Sequence, residues 1–164
     1  MIVLHSPFYP MEPATFPHPF DDPGFGFQIK WDGARILAHV GDKTQLFNRK
    51  KALRTQQYPE IAEYLPSIFK GRSAVLDGEI IAICGGKPSF QRLMRRDRTS
   101  DPIAVKFLME KIPITYVVFD ILLLDGKDLT DLTFQTRNEI LKSLVPSADP
   151  VMAADTFTSG TALF

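Results

Sequence analysis

Hydrophobic and polar positions alternate with a period of two in several stretches of the chain and recur at helical spacing in others. Phe25, Phe27 and Ile29 alternate with Gly26, Gln28 and Lys30, which predicts a strand with Lys30 on its polar side. Residues 35–40 alternate again, meet Gly41-Asp42 and continue through residues 43–48, so a hairpin with a glycine-first turn should follow at once. Tyr58-Pro59-Glu60 opens a helix with proline in its first turn, and Ile61, Tyr64, Leu65 and Ile68 supply its buried face; Pro66 should kink or end it. Residues 73–83 are a β-branched run between Gly71 and Gly85-Gly86, a strand with Asp77-Gly78-Glu79 at its centre. Ser89 can cap a helix over FQRLMRR, and residues 103–110 suit another. Residues 113–124 read as a long strand ending in the turn Asp125-Gly126-Lys127. Thr133 can cap a last helix that ends at Leu144, before a strand over residues 151–157.

Six of the thirteen prolines precede residue 24, where fixed φ and missing N–H groups disfavour helix and central strand. Residues 1–24 are therefore an extended lead-in, whose Phe8, Tyr9, Phe16 and Phe20 should lie against the domain. Strands dominate, helices interleave irregularly and no repeat occurs, which makes the class α+β, with a mainly antiparallel twisted sheet and flanking helices.

With 164 residues, 45% hydrophobic and 23% charged, the chain has the composition of an ordinary folded domain and room for one core. Asp120 interrupts the longest apolar stretch, residues 114–124, well short of the roughly 18 residues that a membrane span needs. Cys84 is the single cysteine, so neither an internal disulfide nor a cysteine-cluster zinc site is available; with no secretory pattern at the N-terminus, this points to the cytoplasm. The zero net charge conceals an asymmetry of −3 over residues 1–29, +7 over residues 30–111 and −4 over residues 112–164. A basic middle suits a polyanion, although charges balanced in space over a solvated surface would give the same tally.

The candidate chemistry begins at Lys30-Trp31-Asp32-Gly33-Ala34-Arg35, at a strand end. A lysine amine that attacks an electrophile needs help to lose its proton, and Asp32, two residues on in an extended chain, can face the same way. Gly33 permits a tight turn or a close approach, and Arg35 can bind ribose or phosphate. Taken alone, the same residues could be a surface Lys-Asp pair before a hairpin. Asn48-Arg49, Asp77-Gly78-Glu79 and Val118-Phe119-Asp120 then follow in order.

This series resembles the covalent nucleotidyltransferase superfamily: K-x-D-G-x-R is similar to its nucleophile motif, VLDGEII to its acidic strand motif and YVVFDILLLDG to its third strand motif. FQIKWDGAR with FDILLLDG looks most like ATP-dependent DNA ligases, in particular the ligase domain of bacterial non-homologous end-joining ligases. The resemblance runs from about residue 8 to residue 164 and implies an ATP-grasp-like adenylation fold over residues 25–164. It makes Lys30 the nucleophile that takes AMP from ATP, with Asp32 supporting the lysine and offering a metal ligand. It implies that Gln28, Ile29, Lys30, Arg35, Glu79 and Phe119 hold the nucleotide, with Glu79 on a ribose hydroxyl and Phe119 stacked on adenine. Arg35, Asn48, Arg49, Lys50 and Lys51 would meet nucleic acid, with Arg49 on the 5′ phosphate of a nick. ATP, a divalent metal such as magnesium or manganese, nicked or broken double-stranded DNA and end-joining proteins are the implied cofactors and partners, at the nucleoid and away from membranes.

Gln28 stands where the family often has Glu, and Asn48 where Ser is usual. The chain stops at TFTSGTALF, about where the family's E-G motif would begin, so the domain is expected to be incomplete, without the K-x-K motif or the OB-fold, and slow in adenylation. The other readings are an RNA ligase or capping-type nucleotidyltransferase, and a catalytically inactive DNA-binding or interaction module. A basic cluster of Lys50, Lys51 and Arg54, and another of Arg92, Arg95, Arg96 and Arg98, either track a DNA backbone or are solvated faces. His5, His18 and His39 have no metal-ligand spacing.

Overall fold

The alternating run after Lys30 forms the expected hairpin: β1 (Ala34–Val40) pairs antiparallel with β2 (Gln45–Asn48), Ile36 opposite Asn48 and His39 opposite Gln45. This computed structural model describes residues 1–163, so the expected domain end at residue 164 lies outside the described residues. Helix α1 (Pro59–Phe69) carries Pro66 inside it and runs on past that residue, because Phe69 in its last turn is buried; the left-handed Lys70 ends it instead. Strands β3 (Ala74–Cys84) and β4 (Lys87–Pro88) precede α2 (Phe90–Asp97) and α3 (Pro102–Lys111). Ser89 sits at the N-cap of α2 without a side-chain bond, whereas Asp101 caps α3 by accepting from the N–H of Ala104. Strands β5 (Ile114–Leu124) and β6 (Lys127–Asp128) lead to α4 (Phe134–Leu144), which the Thr133 hydroxyl caps at the N–H of Thr136. β7 (Ser147–Ala148) and β8 (Val151–Ala153) complete the sheet.

The sheet order is β2-β1-β3-β5-β8-β7, with β4 on β3 and β6 on β5; all pairings are antiparallel except β5 with β8. One face carries Ile36, Ala38, Leu76, Ile80, Tyr116 and Val118, and the four helices close over it with Ile61, Leu65, Leu93, Leu108 and Leu141. The other face carries the odd-numbered residues of β1 and β3, namely Arg35, Leu37 and His39 with Val75, Asp77, Glu79 and Ile81. Residues 1–12 lie along it, where the backbone N–H of His5 donates to His39 Nδ1 at 3.0 Å and the ring of Phe8 stands 6.1 Å from that imidazole.

Besides the helix that continues through Pro66, other sequence expectations change: the last strand stops at Ala153 instead of running to Phe157, which makes only an isolated bridge. Residues 25–30 form no strand: Phe27 alone bridges to Phe157, through reciprocal backbone bonds of 2.9 and 2.8 Å, while Phe25 and Ile29 stay exposed. One bridge cannot sustain a ladder, and the alternation there reflects packing of separate side chains. In the lead-in, Phe20 packs edge-on against Phe25 and Phe27, each at 5.3 Å, but Tyr9 and Phe16 remain exposed.

Tyr116 fixes the central crossing. Its ring is fully buried under β3, its hydroxyl donates to the carbonyl of Ile36 at 2.8 Å, and a Cβ on Gly78 would stand 2.6 Å from its Cε2 and 2.6 Å from the carbonyl of Val117. Gly78→Ala should therefore lower the unfolding free energy by about 1–3 kcal/mol through overpacking. Urea denaturation measures it, and an unchanged midpoint would show that Tyr116 can yield.

Candidate functional site

Lys30 reaches its position because the residue after it is held. Trp31 packs on the apolar patch of Ile81, Val117 and Ala154, and Ile29 joins Trp31 around a small cavity floored by Val117 and Met152. Ile29 stays exposed at the rim of that cavity, so Trp31 is the anchor, and in an extended chain the residue before it points the other way. Lys30 is accordingly exposed and lines a cleft of about 610 Å³ together with Asp32, Arg35, Asn48, Arg49, Lys50 and Glu79.

The turn after Lys30 presses against β3. A Cβ on Gly33 would fall 2.1 Å from the carbonyl of Ile80, and the Gly33 N–H donates to Glu79 Oε1 at 3.1 Å. The glycine thus serves the close approach of two backbones. Next to it, Arg35 forks onto buried Asp77, Nε to Oδ1 at 3.0 Å and Nη2 to Oδ2 at 2.7 Å, while Nη1 donates to the carbonyl of Met11 at 2.8 Å. Burial pushes the Asp77 carboxyl up, the Arg35 guanidinium opposes that, and Asp120 across the strand adds to it. Asp120 has its own fork, Arg137 Nε to Oδ1 and Nη2 to Oδ2, both at 2.8 Å, which ties α4 to the sheet.

Phe119 owes its aim to a bulge. Gly78 pairs with Val118 and Asp77 with Asp120, so Phe119 is the extra residue on β5 and is half-buried beside the apolar patch, with the Arg35 guanidinium 5.7 Å from its ring centre. It does not line the cleft of Lys30. Gln28 and Ile29 line a neighbouring hollow that shares Lys30, and the Gln28 amide donates to Thr156 Oγ1 at 3.2 Å. Asn48 shapes a turn, its Oδ1 accepting from the N–H groups of Lys50 at 3.0 Å and Ala52 at 2.9 Å, and that turn presents Arg49 and Lys50 to the cleft. Lys51 points elsewhere, its Nζ 4.0 Å above the ring of Tyr9.

Sequence reasoning missed Glu12 and Arg137 and gave Asp77, though named in its motif, no role. Glu12 enters the cleft from the lead-in, and its isolation in a segment without basic residues was the available signal. Asp77 and Arg137 are a partner and a tether; a carboxylate in a β-branched run already demands a cation. The second basic cluster divides: Arg96 is fully buried and donates to the carbonyls of Ile112 at 3.1 Å and Gln57 at 2.8 Å and to Glu60, so it is structural.

Burial raises the Glu79 carboxyl from an ordinary value of 4.5 to about 7, against the lowering effects of the Gly33 N–H, Lys30 and Arg35. Among the described residues no group of three or more His, Cys, Asp or Glu side chains is placed to hold a metal ion. No described helix is long and apolar enough to cross a membrane.

Comparison with known proteins places these features in a family. The ATP dependent DNA ligase domain family matches residues 15–162. The chain is 34% identical over 131 residues to the DNA ligase of Thermococcus fumicolans, covering 78% of this chain and 23% of that protein. It is 37% identical over 131 residues to DNA ligase 2 of Methanosarcina acetivorans, with the same coverage of 78% and 23%. The chain thus spans under a quarter of the length of these relatives. Among solved structures, mycobacterial DNA ligase D complexed with ATP and MES superposes with a TM-score of 0.68 at 26% identity, over 85% of this chain and 42% of that one. The ligase domain of M. tuberculosis LigD gives the same values, 0.68 and 26%.

The raised Glu79 carboxyl carries a pH signature. A folded-state value above the unfolded one means that this group's contribution to stability is complete below about 4.5 and lost as pH rises through about 7. The melting temperature of the native chain should therefore fall relative to that of Glu79→Gln between these pH values. A difference that grows in the opposite sense would show that Gly33 and Lys30 outweigh burial.

Proposed function

The chain belongs to the ATP-dependent DNA ligase domain family, and from that premise we propose that its cleft forms a lysyl-AMP on Lys30 and passes the AMP to a 5′ phosphate in DNA. The observation that carries this reading is the convergence of Lys30, Asp32, Glu79 and Arg49 on one cleft. In the first step Lys30 Nζ attacks the α-phosphorus of ATP; an N–P bond forms as the bond to the leaving pyrophosphate breaks. In the second, an oxygen of the DNA 5′ phosphate attacks the same phosphorus and the N–P bond breaks, returning the electron pair to Lys30. The 3′ hydroxyl then displaces AMP, and the phosphodiester closes.

The other roles follow the chemistry of each side chain. Asp32, beside Lys30, is the carboxylate that can take up its proton. Glu79 accepts a ribose hydroxyl, and Phe119 offers adenine the ring face that Arg35 does not cover. Arg35 keeps N–H donors beyond its bonds to Asp77 and Met11 for a sugar or strand contact. Gln28 and Ile29 bound the hollow next to Lys30, while Arg49 and Lys50, presented by the turn that Asn48 shapes, supply a basic approach for the nicked strand; Lys51, held over the ring of Tyr9, is left out of it. Asp32 is the residue that would hold a divalent metal, magnesium or manganese, whose charge would offset that of the phosphates. The proposed substrate includes broken duplex ends and the proposed partners end-joining proteins, on the chromosome at the cytoplasmic nucleoid, a reading that the likeness to a LigD ligase domain supports.

Incubation with ATP labelled at the α-phosphate, then peptide mapping, tests the central step. Label should fall on the peptide containing Lys30, disappear in Lys30→Ala and exceed that obtained from GTP. Label that survives Lys30→Ala would overturn the assignment, and a folded chain that binds nicked DNA without labelling would favour a non-catalytic binding module. Separately, Phe119→Leu preserves apolar volume but removes the π face, so ATP affinity should fall by about three- to tenfold. Calorimetric titration reads this, and unchanged affinity would return Phe119 to packing alone.

A further inference from the structure

The three stripes of α2 differ in what they face. Leu93 and Arg96 point into the core, both fully buried, and Phe90, Met94 and Asp97 line the cleft of Lys30. At about 100° per residue, Gln91, Arg92 and Arg95 occupy the remaining side of the helix, and Arg98, its C-cap, continues that side, with Arg98 and Gln91 next to the cleft stripe. All four are exposed. Among the described residues, Arg92, Arg95 and Arg98 have no ion-pair partner, and the one carboxylate on the helix, Asp97, is taken by Arg54 at 3.2 Å and by the Tyr58 hydroxyl at 2.9 Å. Arg49 and Lys50 line the same cleft.

We propose that the outer face of α2 is a docking surface for the phosphate backbone of the duplex whose nick lies in the cleft, with Arg92, Arg95 and Arg98 as the phosphate contacts. The inference rests on the proposed function for its occupant and adds a surface that the cleft does not include. Three points support it. The face is uncompensated and cationic, complementary to a polyanion. It is continuous with the cleft wall, because Met94 and Asp97 on the same helix already line the site. It is also held rigidly: buried Arg96 bonds α2 to the carbonyls of Gln57 and Ile112 and to Glu60, so the arginines project from a helix fixed relative to Lys30. These contacts position the duplex and carry no base preference.

The test is a fluorescence titration of nicked duplex DNA at several salt concentrations, comparing the native chain with Arg92→Gln/Arg95→Gln/Arg98→Gln and with Lys127→Gln/Lys142→Gln, whose lysines lie on β6 and α4. Each phosphate contact contributes about 0.9 to the slope of log affinity against log salt. The triple variant should lose about two to three from that slope and bind at least about tenfold more weakly at physiological salt, while the lysine variant keeps a near-native slope. An unchanged slope in the triple variant, an equal loss per charge in the lysine variant, or no salt-dependent binding by the native chain would each overturn the proposal. Far-ultraviolet circular dichroism checks that the variants are folded. Labelling of Lys30 in the native chain is read separately, and its failure would count against the functional reading while the titration still decides the surface.

Discussion

The contact of Gly33 with β3 governs the rest of the site. With no side chain at that position, the backbone after Lys30 turns directly against the carbonyl of Ile80, where a Cβ would be 2.1 Å away. The same contact brings the Gly33 N–H to Glu79 and starts β1 in register with β3, Ala34 opposite Ile80 and Arg35 opposite Glu79. That register in turn brings Arg35 within reach of Asp77. One steric allowance therefore fixes the nucleophile and two of the groups around it relative to a central strand.

Charge is arranged in the sheet with the same economy. Asp77 and Asp120 face each other across β3 and β5, an unfavourable juxtaposition that two bidentate arginines resolve from opposite sides, Arg35 on β1 and Arg137 on α4. The bulge at Phe119 lies between these two carboxylates. The strand motifs that flank the cleft are thereby bound to one another before any ligand arrives, which is the condition for preorganised chemistry.

Much of this was legible in the chain. The hairpin after Lys30, the strands around Asp77-Gly78-Glu79 and Phe119 and the four helices follow from periods of two and of 3.6, because each buries one face against the same core. Lys30, Asp32, Glu79, Arg49 and Lys50 were recognisable from spacing and resemblance, and they meet in one cleft. Residues 25–30 misled because alternation also arises when single side chains pack separately, as Phe27 does against Phe20 while Phe25 and Ile29 stay exposed. Pro66 misled because the burial of Phe69 outweighs one lost backbone bond. Arg96 is indistinguishable in sequence from its exposed neighbours, because its partners, the carbonyls of Gln57 and Ile112, come from elsewhere in the chain. Glu12 could not be placed from local pattern, since a proline-rich segment has no period to read.

The claim on which this account turns is that Lys30 is aligned for attack by the seat of Gly33 on β3. The direct measurement is the rate of covalent AMP formation on Lys30 in Gly33→Ala, with circular dichroism and ATP titration on the same preparation. Displacing the turn by about 1 Å should cost on the order of 100-fold in rate while the sheet remains folded and nucleotide still binds. Labelling of the folded variant at the native rate, or no labelling of the native chain at all, would contradict the account.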